Sequence, residues 1–331
     1  MKRLLLKTIA AALAVAALGV ASAQERTIKF ATQNPKGHPL VMGMEKFAAL
    51  VEAKSGGKIK VNLFPGGVLG GDAPTVSALQ GGTIEMASMN SGILASQVKD
   101  FEVFDFPFMF ANSKEADAVV DGPFGKMMHA KLDAKGLVGL TYWELGFRNI
   151  TNSKRAITKV EDIAGLKLRV IPNAINLDWT KALGANPTPL AFPEVYAALE
   201  QGAIDGQENP LTVISATKLY EVQKYVTLTN HQYNPQSVLM SKKFWDTLNA
   251  AEKKIIADAA VESTAYQRQQ AREQAGTALE TVKKAGMQVS ELSPAELAKF
   301  REKMKPVVDK HGAASPDALK ELTAELAKLR K

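Results

Sequence analysis

The sequence predicts an α/β fold of two lobes that face each other across a cleft. Three observations lead to this prediction. Segments with strand periodicity alternate with segments of helical periodicity, one strand–helix pattern occurs twice, and residues 249–286 are helical almost throughout. Alternating strands and helices favour a parallel sheet that is covered by helices on both faces.

The first elements alternate regularly, and glycine or proline breaks separate them. The breaks are NPKG after the first strand, Gly56-Gly57 after the first helix, and Gly81-Gly82 after the second helix. The predicted order is strand 26–33, helix 39–54, strand 57–64, glycine-rich loop 65–72, helix 73–80 and strand 83–89.

A similar pattern occurs twice along the sequence. Residues 57–86 run from GKIKV through a loop and a helix to ALQGGTIEM, and residues 165–206 run from GLKLRV to ALEQGAIDG. Both end in a short predicted strand that contains isoleucine and an acid, Ile84-Glu85 or Ile204-Asp205. We interpret the two copies as lobes of similar topology, and open α/β sheets bind ligands beyond the carboxyl ends of their strands.

The helical region 249–286 permits two interpretations. Asn249 with Glu252 reads as a capping box, and Lys283-Lys284 before Gly286 reads as a helix end. An unbroken helix of this length measures roughly 50 Å and would span both lobes as a strut. The alternative is a helical hairpin broken near Gly276. A last helix, SPDALKELTAELAKLR, is predicted at the end of the sequence.

Residues 1–23 have the pattern of a secretory signal peptide. A basic start, MKRLLLK, precedes the apolar run IAAALAVAALGV and the cleavage signal ASA. The run is shorter than the roughly 20 apolar residues that a membrane span needs. We therefore expect export to the periplasm and release by cleavage. Without any cysteine, the exported protein has no thiol for a lipid anchor.

The charge and the absence of cysteine exclude several classes of function. Three of the 41 basic residues lie in the leader, which leaves 38 basic against 34 acidic residues and a net charge of +4. Such a small, dispersed charge argues against nucleic-acid binding. The absence of cysteine excludes disulfides, thiol catalysis and zinc–thiolate sites.

The sequence contains no recognisable catalytic or cofactor motif. The loop GGVLGGD has Asp72 where a phosphate-binding loop requires lysine, and neither G-x-S-x-G nor H-E-x-x-H occurs. The four histidines are scattered without a carboxylate at metal-ligand spacing. We therefore expect a protein that is not an enzyme and that has no cofactor and no metal.

Arg169 is the first candidate binding residue. In GLKLRV it lies near the end of a strand that should be buried, where an unpaired charge costs several kcal/mol. Two partners remain open from the residues alone. One is an internal salt bridge to Asp162 or Asp205, and the other is a carboxylate that a small ligand brings.

Two further segments carry candidate binding residues. Arg148 lies in YWELGFRNITNS, where it is either a ligand contact or a surface charge. In DGQENP a short strand ends, Pro210 suits the first turn of a helix, and Asn209 is expected as its N-cap. An amide beside the free backbone N–H groups of a helix start also favours an anion.

The motifs TNSKRAI, GLKLRV, ANPTPLAFPEVYAALEQGAIDGQENP and LYEVQKYV follow one another in this sequence. In this order they resemble the DctP-type solute-binding proteins of tripartite ATP-independent periplasmic (TRAP) transporters. VFDFPFMF and the section from GKIKV to LQGGTIEM also look similar to that family. The resemblance implies a two-lobe periplasmic-binding-protein fold, type II-like, with a hinge and the long helix as strut. We expect 24–146 with 235–274 as lobe I, and 147–234 with 275–331 as lobe II.

The resemblance also implies a carboxylate clamp. In such proteins an arginine at the position of Arg169 pairs with the ligand carboxylate, and residues at the positions of Arg148 and Asn209 complete the clamp. Phe192 at the end of PLAF is expected to line the pocket, and Asn173 after the GLKLR strand is expected near it.

Ligand-selecting residues are expected at strand and loop ends: Gln33, Asp72 and Asn90. Members that bind sialic acid resemble this protein through the clamp but have asparagine and glutamate in place of Gln33 and Asn90, which argues against sialic acid. A hydroxy- or keto-acid, a C4-dicarboxylate and a uronic acid remain open. Three further residues are candidates for the same cleft: Trp143, Tyr233 and Gln236. For Trp143, a place in the core of the lobe is an equal alternative.

These expectations describe a monomeric periplasmic receptor. It would capture a small organic acid and deliver it to the small and large membrane subunits of a TRAP transporter. Two alternatives keep the same cleft: a ligand sensor for a signalling protein, and a periplasmic enzyme that acts on an organic acid.

Overall fold

A computed structural model describes residues 25–330, so the predicted signal peptide lies outside the described residues. Within them, one mixed sheet has the strand order β2-β1-β3-β8-β4-β7-β5-β6, and β9 pairs with β8. Its strands are β1 (Arg26–Thr32), β2 (Ile59–Phe64), β3 (Met86–Asn90), β4 (Leu137–Asn152), β5 (Lys167–Val170), β6 (Asn186–Pro189), β7 (Gly206–Asn209), β8 (Tyr225–Ser241) and β9 (Gln288–Glu291).

Helices cover both faces of this sheet. They are α1 (Pro39–Ser55), α2 (Asp72–Gly81), α3 (Ser113–Asp121), α4 (Pro123–Ala130), α5 (Ala174–Ala182), α6 (Val195–Glu200), α7 (Leu211–Ala216), α8 (Lys242–Trp245), α9 (Ala250–Lys284), α10 (Pro294–Gly312) and α11 (Pro316–Leu329). The last predicted helix corresponds to α11.

The two ends of the sheet are units of the same topology. The first unit is β1-α1-β2-α2-β3 with strand order β2-β1-β3, and the second is β5-α5-β6-α6-β7 with strand order β6-β5-β7. All pairs within both units are parallel. The two-lobe α/β prediction is therefore confirmed, and equivalent strands end at equivalent places in the two units.

The predicted repeat was aligned correctly only at its end. The segments α2–β3 and α6–β7 are equivalent, but the prediction matched β2 with β5, whereas β5 takes the place of β1. The extra length of the second copy holds α5 and β6. The pairs Ile84-Glu85 and Ile204-Asp205 lie just before β3 and β7 and not within them.

The two units are joined by long antiparallel strands. β4 and β8 pair with each other along most of their length, β8 pairs with β3, and β4 pairs with β7, all antiparallel. The expectation of a parallel sheet is therefore wrong at its centre. These strands carry many buried polar side chains, so they lack the apolar run or the regular alternation that marks a strand.

The long helix is a single element, so the hairpin alternative is wrong. Asn249 and Glu252 form the predicted capping box of α9, and Gly276 lies inside the helix without interrupting it. α9 packs against α1 of the first unit and against α7, which follows the second unit. Ile256 is buried in the core of the first unit, whereas Val282 is buried in that of the second. None of the helices within residues 25–330 is long and apolar enough to cross a membrane.

Candidate functional site

A cleft lies between the two units. It opens at the carboxyl ends of β1 and β3 on one side and of β5 and β7 on the other. This is where an open α/β sheet places ligands. Eight residues predicted from the sequence line it: Gln33, Asp72, Asn90, Arg148, Arg169, Phe192, Asn209 and Gln236.

Arg169 reaches the cleft from β5 without a carboxylate partner among the residues that the structure describes. Its Nε and Nη2 atoms both donate to the backbone oxygen of Leu190, at 3.0 and 2.8 Å. A guanidinium has five N–H donors, so three have no partner within the described part of the chain, including both on Nη1. The side chain is only 3% exposed. The predicted alternatives, Asp162 and Asp205, instead bind the backbone of Lys159 and the side chain of Lys154.

The surroundings of Arg169 make its charge costly. Burial, together with the nearby positive charge of Arg148, lowers the pKa of Arg169 to about 10, although the negative charges of Glu208, Asp72 and Glu194 oppose the shift. The ring of Phe192 lies 5.7 Å from the guanidinium carbon and covers one of its faces. A carboxylate from outside would supply the missing counter-charge and two acceptors in the plane of the guanidinium.

Arg148 also borders the cleft, but its charge is already compensated. Its Nε and Nη2 atoms donate to the carboxylate of Glu208, and Nη1 donates to Asn234 Oδ1 at 2.7 Å. Both charged side chains are almost completely buried. Burial opposes ionisation of Glu208, but Arg148 and His231 hold its pKa well below its usual range. Counting the further bond to the Glu208 backbone, one N–H of Arg148 has no partner within residues 25–330.

Asn209 lines the cleft as predicted, but it does not cap a helix. It remains in β7, paired with Asn149 of β4, and its Nδ2 donates to Gln207 Oε1 at 2.6 Å. α7 begins only at Leu211, with Pro210 as the N-cap residue. The predicted N-cap at Asn209 is therefore wrong, because the strand continues one residue further than the motif suggested.

Asp105 is a buried carboxylate beneath the cleft that the sequence reasoning missed. Its two oxygens accept hydrogen bonds from the side-chain amides of four asparagines: Asn90, Asn173, Asn176 and Asn234. These residues come from β3, from α5 with its N-cap, and from β8. Asp105 thus ties both units to a central strand. No local sequence signal marks it, because its partners are distant in sequence.

The raised pKa of Asp105 predicts a pH effect on stability. Burial raises it from 3.8 to about 6, although hydrogen bonds from Asn173 and Asn90 and the charge of Arg148 oppose the shift, while Glu208 adds to it. The folded protein therefore binds this proton more tightly than the unfolded protein does. The stabilisation is fully present below about pH 4 and is lost as the pH rises through about 6.

Asp105→Asn should remove this titration. Between pH 4 and pH 7, the free energy of unfolding of the wild type should fall by up to about 3 kcal/mol relative to that of the variant. Urea denaturation at several pH values measures this difference. Asp246→Asn, at an exposed position on α8's C-terminal side, is the matched control and should give a flat difference. A flat difference for Asp105→Asn as well would contradict the prediction.

The first unit contributes polar atoms to the opposite wall. Gln33 Nε2 donates to the backbone oxygen of Gly70 at 2.9 Å, which fixes the amide and leaves its Oε1 without a partner among residues 25–330. Asp72, at the start of α2, has a buried Oδ1 that also lacks a partner there. Burial raises the pKa of Asp72 to about 6, and Arg169 partly opposes this.

The glycine-rich loop brings the two units together over the cleft. A Cβ atom placed on Gly71 would lie 3.3 Å from Ala191 Cβ, and one on Gly67 would lie 3.0 Å from Pro193 Cγ. Ala191 and Pro193 belong to the second unit, on either side of Phe192. Glycine therefore permits this close approach, and at Gly67 it also permits a φ of +70°.

Three predicted site residues lie outside the cleft lining. Trp143 packs in the core of the first unit against Phe30, with ring centroids 5.8 Å apart, which was the alternative for this residue. Tyr233 is buried in an aromatic cluster with Phe110 and Phe147. Asn173 caps α5 and binds Asp105, so its amide is already used.

The lining also includes residues that the sequence reasoning did not select. These are Asn34, Ser88, Met89, Leu145, Ile171 and Val213. Asn34 follows Gln33 at the end of β1 and had the same sequence signal, whereas the others lie within apolar or mixed segments. Within residues 25–330, no group of three or more His, Asp or Glu side chains is arranged to hold a metal ion.

Comparisons with known proteins place this cleft in context. Residues 30–315 match the family described as bacterial extracellular solute-binding protein, family 7 (DctP). The C4-dicarboxylate-binding periplasmic protein DctP of Rhodobacter capsulatus is 37% identical over 326 residues, which cover 96% of each protein.

Two crystal structures are similar in fold as well as sequence. A TRAP periplasmic solute-binding protein from Ochrobactrum anthropi, with a C-terminus bound in its ligand-binding pocket, is 56% identical with a TM-score of 0.83, over 93% of this protein and 97% of that one. The sugar acid binding protein DctPAm from Advenella mimigardefordensis, in complex with galactonate, is 43% identical with a TM-score of 0.91. The match covers 92% of this protein and 99% of that one.

Proposed function

The protein belongs to bacterial extracellular solute-binding protein family 7, the DctP family, and from this premise we propose that its cleft binds a ligand carboxylate through Arg169. The protein is a solute-binding receptor that captures a small organic acid and delivers it to a TRAP-type membrane transporter. Family members are transport receptors. We further propose that this protein does not catalyse any reaction of its ligand.

The free guanidinium of Arg169 is the observation that carries the proposed role. It is buried, it has three unused N–H donors and it has no carboxylate partner among residues 25–330. A galactonate ligand and a polypeptide carboxyl terminus, the occupants of the two similar structures, both carry a carboxylate. The free edge formed by Nη1 and Nη2 suits bidentate binding of such a group.

The expected affinity follows from these contacts. Each charged hydrogen bond contributes about 1.5–3 kcal/mol net, so a bidentate pair supplies roughly 3–6 kcal/mol. Micromolar affinity corresponds to about 8 kcal/mol. The remaining free energy comes from contacts that form when the two units close over the ligand, which stabilises the closed state by differential affinity.

The proposed hinge lies where β4 and β8 pass between the units. The register of the β4–β8 pair shifts between Glu144 and Gly146, opposite Asn234 and Pro235, and Gly146 has a φ of +113°. This supports lobe I as 24–146 with 235–274 and lobe II as 147–234 with 275–331. α9 packs on both units and would limit the closing motion.

We also propose the following setting for the receptor. It is periplasmic, as the family and its relatives indicate, and it is released after residue 23 without a lipid anchor. It acts as a monomer. Its partners are the small and large membrane subunits of the transporter, and it binds no nucleic acid.

A thermal-shift screen tests the function. The protein, unfolded and refolded to remove any co-purified ligand, is heated with small hydroxy-, keto-, dicarboxylic and uronic acids. At least one acid should raise the melting temperature with a concentration dependence that follows mass action. The amide of the same acid should have no effect, and product analysis should find the acid unchanged. A screen in which no acid raises the melting temperature would refute the proposal.

A further inference from the structure

The two walls of the cleft differ in hydrogen-bonding character. The second unit presents donors, which are the three free N–H groups of Arg169. The first unit contributes Gln33, Asn34 and Asp72 to the lining, and one buried oxygen of each has no partner among residues 25–330: Gln33 Oε1, Asn34 Oδ1 and Asp72 Oδ1. The hydroxyl of Ser88 on the same side also lacks a partner there.

The unpartnered oxygens specify what the ligand must supply. A buried acceptor left without a donor is unfavourable, and three of them belong to residues on one wall. The amide of Gln33 cannot turn to offer its nitrogen without losing the bond to Gly70. This wall therefore requires hydrogen-bond donors from the part of the ligand that lies away from Arg169.

The same oxygens disfavour other organic acids. A second carboxylate would place its oxygen acceptors against the acceptors of this wall and its negative charge near Asp72. Among the lining residues, this wall has no cation that could offset that charge. A plain aliphatic tail would leave every oxygen without a donor. Hydroxyl groups of a ligand would supply the donors that these oxygens lack.

We infer that the ligand is a polyhydroxylated monocarboxylic acid whose hydroxyl groups donate to Asp72, Gln33 and Asn34 while its carboxylate pairs with Arg169. This inference rests on the proposed function and narrows its ligand class. The pKa of Asp72, raised to about 6 by burial, leaves the carboxylate mostly ionised at pH 7.5. In that state it accepts from hydroxyl groups and repels a second carboxylate. Arg169 and the compensated Arg148–Glu208 pair are the charged groups that face it across the cleft.

Two matched sets of acids test the inference by isothermal titration calorimetry at pH 7.5. The four-carbon set is D-erythronate, butyrate and succinate, and the six-carbon set is D-galactonate, hexanoate and adipate. The tightest ligand should be a hydroxylated monocarboxylate, and it should bind at least about 100-fold more tightly than the other two acids of its set. If a dicarboxylate or an unhydroxylated acid binds as tightly, the inference is wrong while the proposed function stands. If none of the six binds, the inference is wrong, and the wider thermal-shift screen decides the proposed function.

Asp72→Asn tests the role of the acceptor wall. We expect the variant to bind the hydroxylated acid about 10- to 100-fold more weakly and the dicarboxylate of the same length no more weakly than the wild type does. The preference between the two acids should therefore shrink. Asp246→Asn, outside the cleft, is the matched control and should leave both affinities unchanged. An equal loss for both acids in Asp72→Asn would overturn the assignment of Asp72 as a hydroxyl acceptor.

Discussion

Arg169→Ala should weaken ligand binding by at least about 100-fold while the ligand-free protein remains folded. The side chain forms no salt bridge with a protein carboxylate among residues 25–330, so its removal breaks no ion pair and costs only its longer-range attraction to acids such as Asp72. Only the two bonds to the Leu190 oxygen are lost, and their loss is partly offset because a buried charge disappears. The ligand-free free energy of unfolding should therefore change by no more than about 1–2 kcal/mol. Calorimetry and urea denaturation measure the two effects separately.

Arg169→Lys is the sharper variant, because it keeps the charge and removes the planar fork. It should also bind much more weakly than the wild type, since a single ammonium cannot form two parallel hydrogen bonds to one carboxylate. Arg155→Ala is the matched control. Arg155 also donates only to backbone oxygens, those of Asp162 and Ala164, but lies outside the cleft. A collapse of ligand-free stability in Arg169→Ala would mean that the protein itself supplies the counter-charge.

Arg169 was predictable because its environment is defined locally. The alternation in GLKLRV places it in a strand, the following proline ends that strand, and burial in an α/β sheet follows from the fold class. The same local signals identified α9, α1 and the strand ends at Gln33 and Asn90. Each of these features depends on residues within a few positions of one another in the sequence.

The features that the sequence did not reveal depend on pairings between distant segments. Glu208 compensates Arg148 because β7 lies beside β4, in the register that places Ile150 opposite Glu208. Asp105 collects four amides from three separate parts of the sequence. The repeat was misaligned because two β-rich segments with similar sequences, β2 and β5, occupy different places in their units. Strand order and register are tertiary properties that a single sequence does not display.

The Arg148–Glu208 pair has the largest expected effect on stability. Arg148→Ala leaves the Glu208 carboxylate fully buried, with His231 at 3.4 Å as its nearest positively chargeable partner. In the wild type, burial and the charge of Arg148 lower the pKa of that histidine, although Glu208 opposes the shift. We expect the free energy of unfolding to fall by about 3–5 kcal/mol, the range typical when one partner of a buried ion pair is removed.

The double variant Arg148→Met with Glu208→Gln separates this structural role from ligand binding. It removes both charges, so it should recover most of the stability that Arg148→Ala loses. Because Arg169 remains, the double variant should still bind the ligand, within about 10-fold of the wild type, since only one free N–H of Arg148 faces the cleft. The opposite pattern, unchanged stability in Arg148→Ala with binding abolished in both variants, would instead make Arg148 a direct partner of the ligand carboxylate. Unfolding and binding measured on the wild type, on Arg148→Ala and on the double variant therefore distinguish two kinds of site. One is a clamp of two cations, Arg148 and Arg169. The other is a single binding cation, Arg169, beside a neutral, pre-organised Arg148–Glu208 pair.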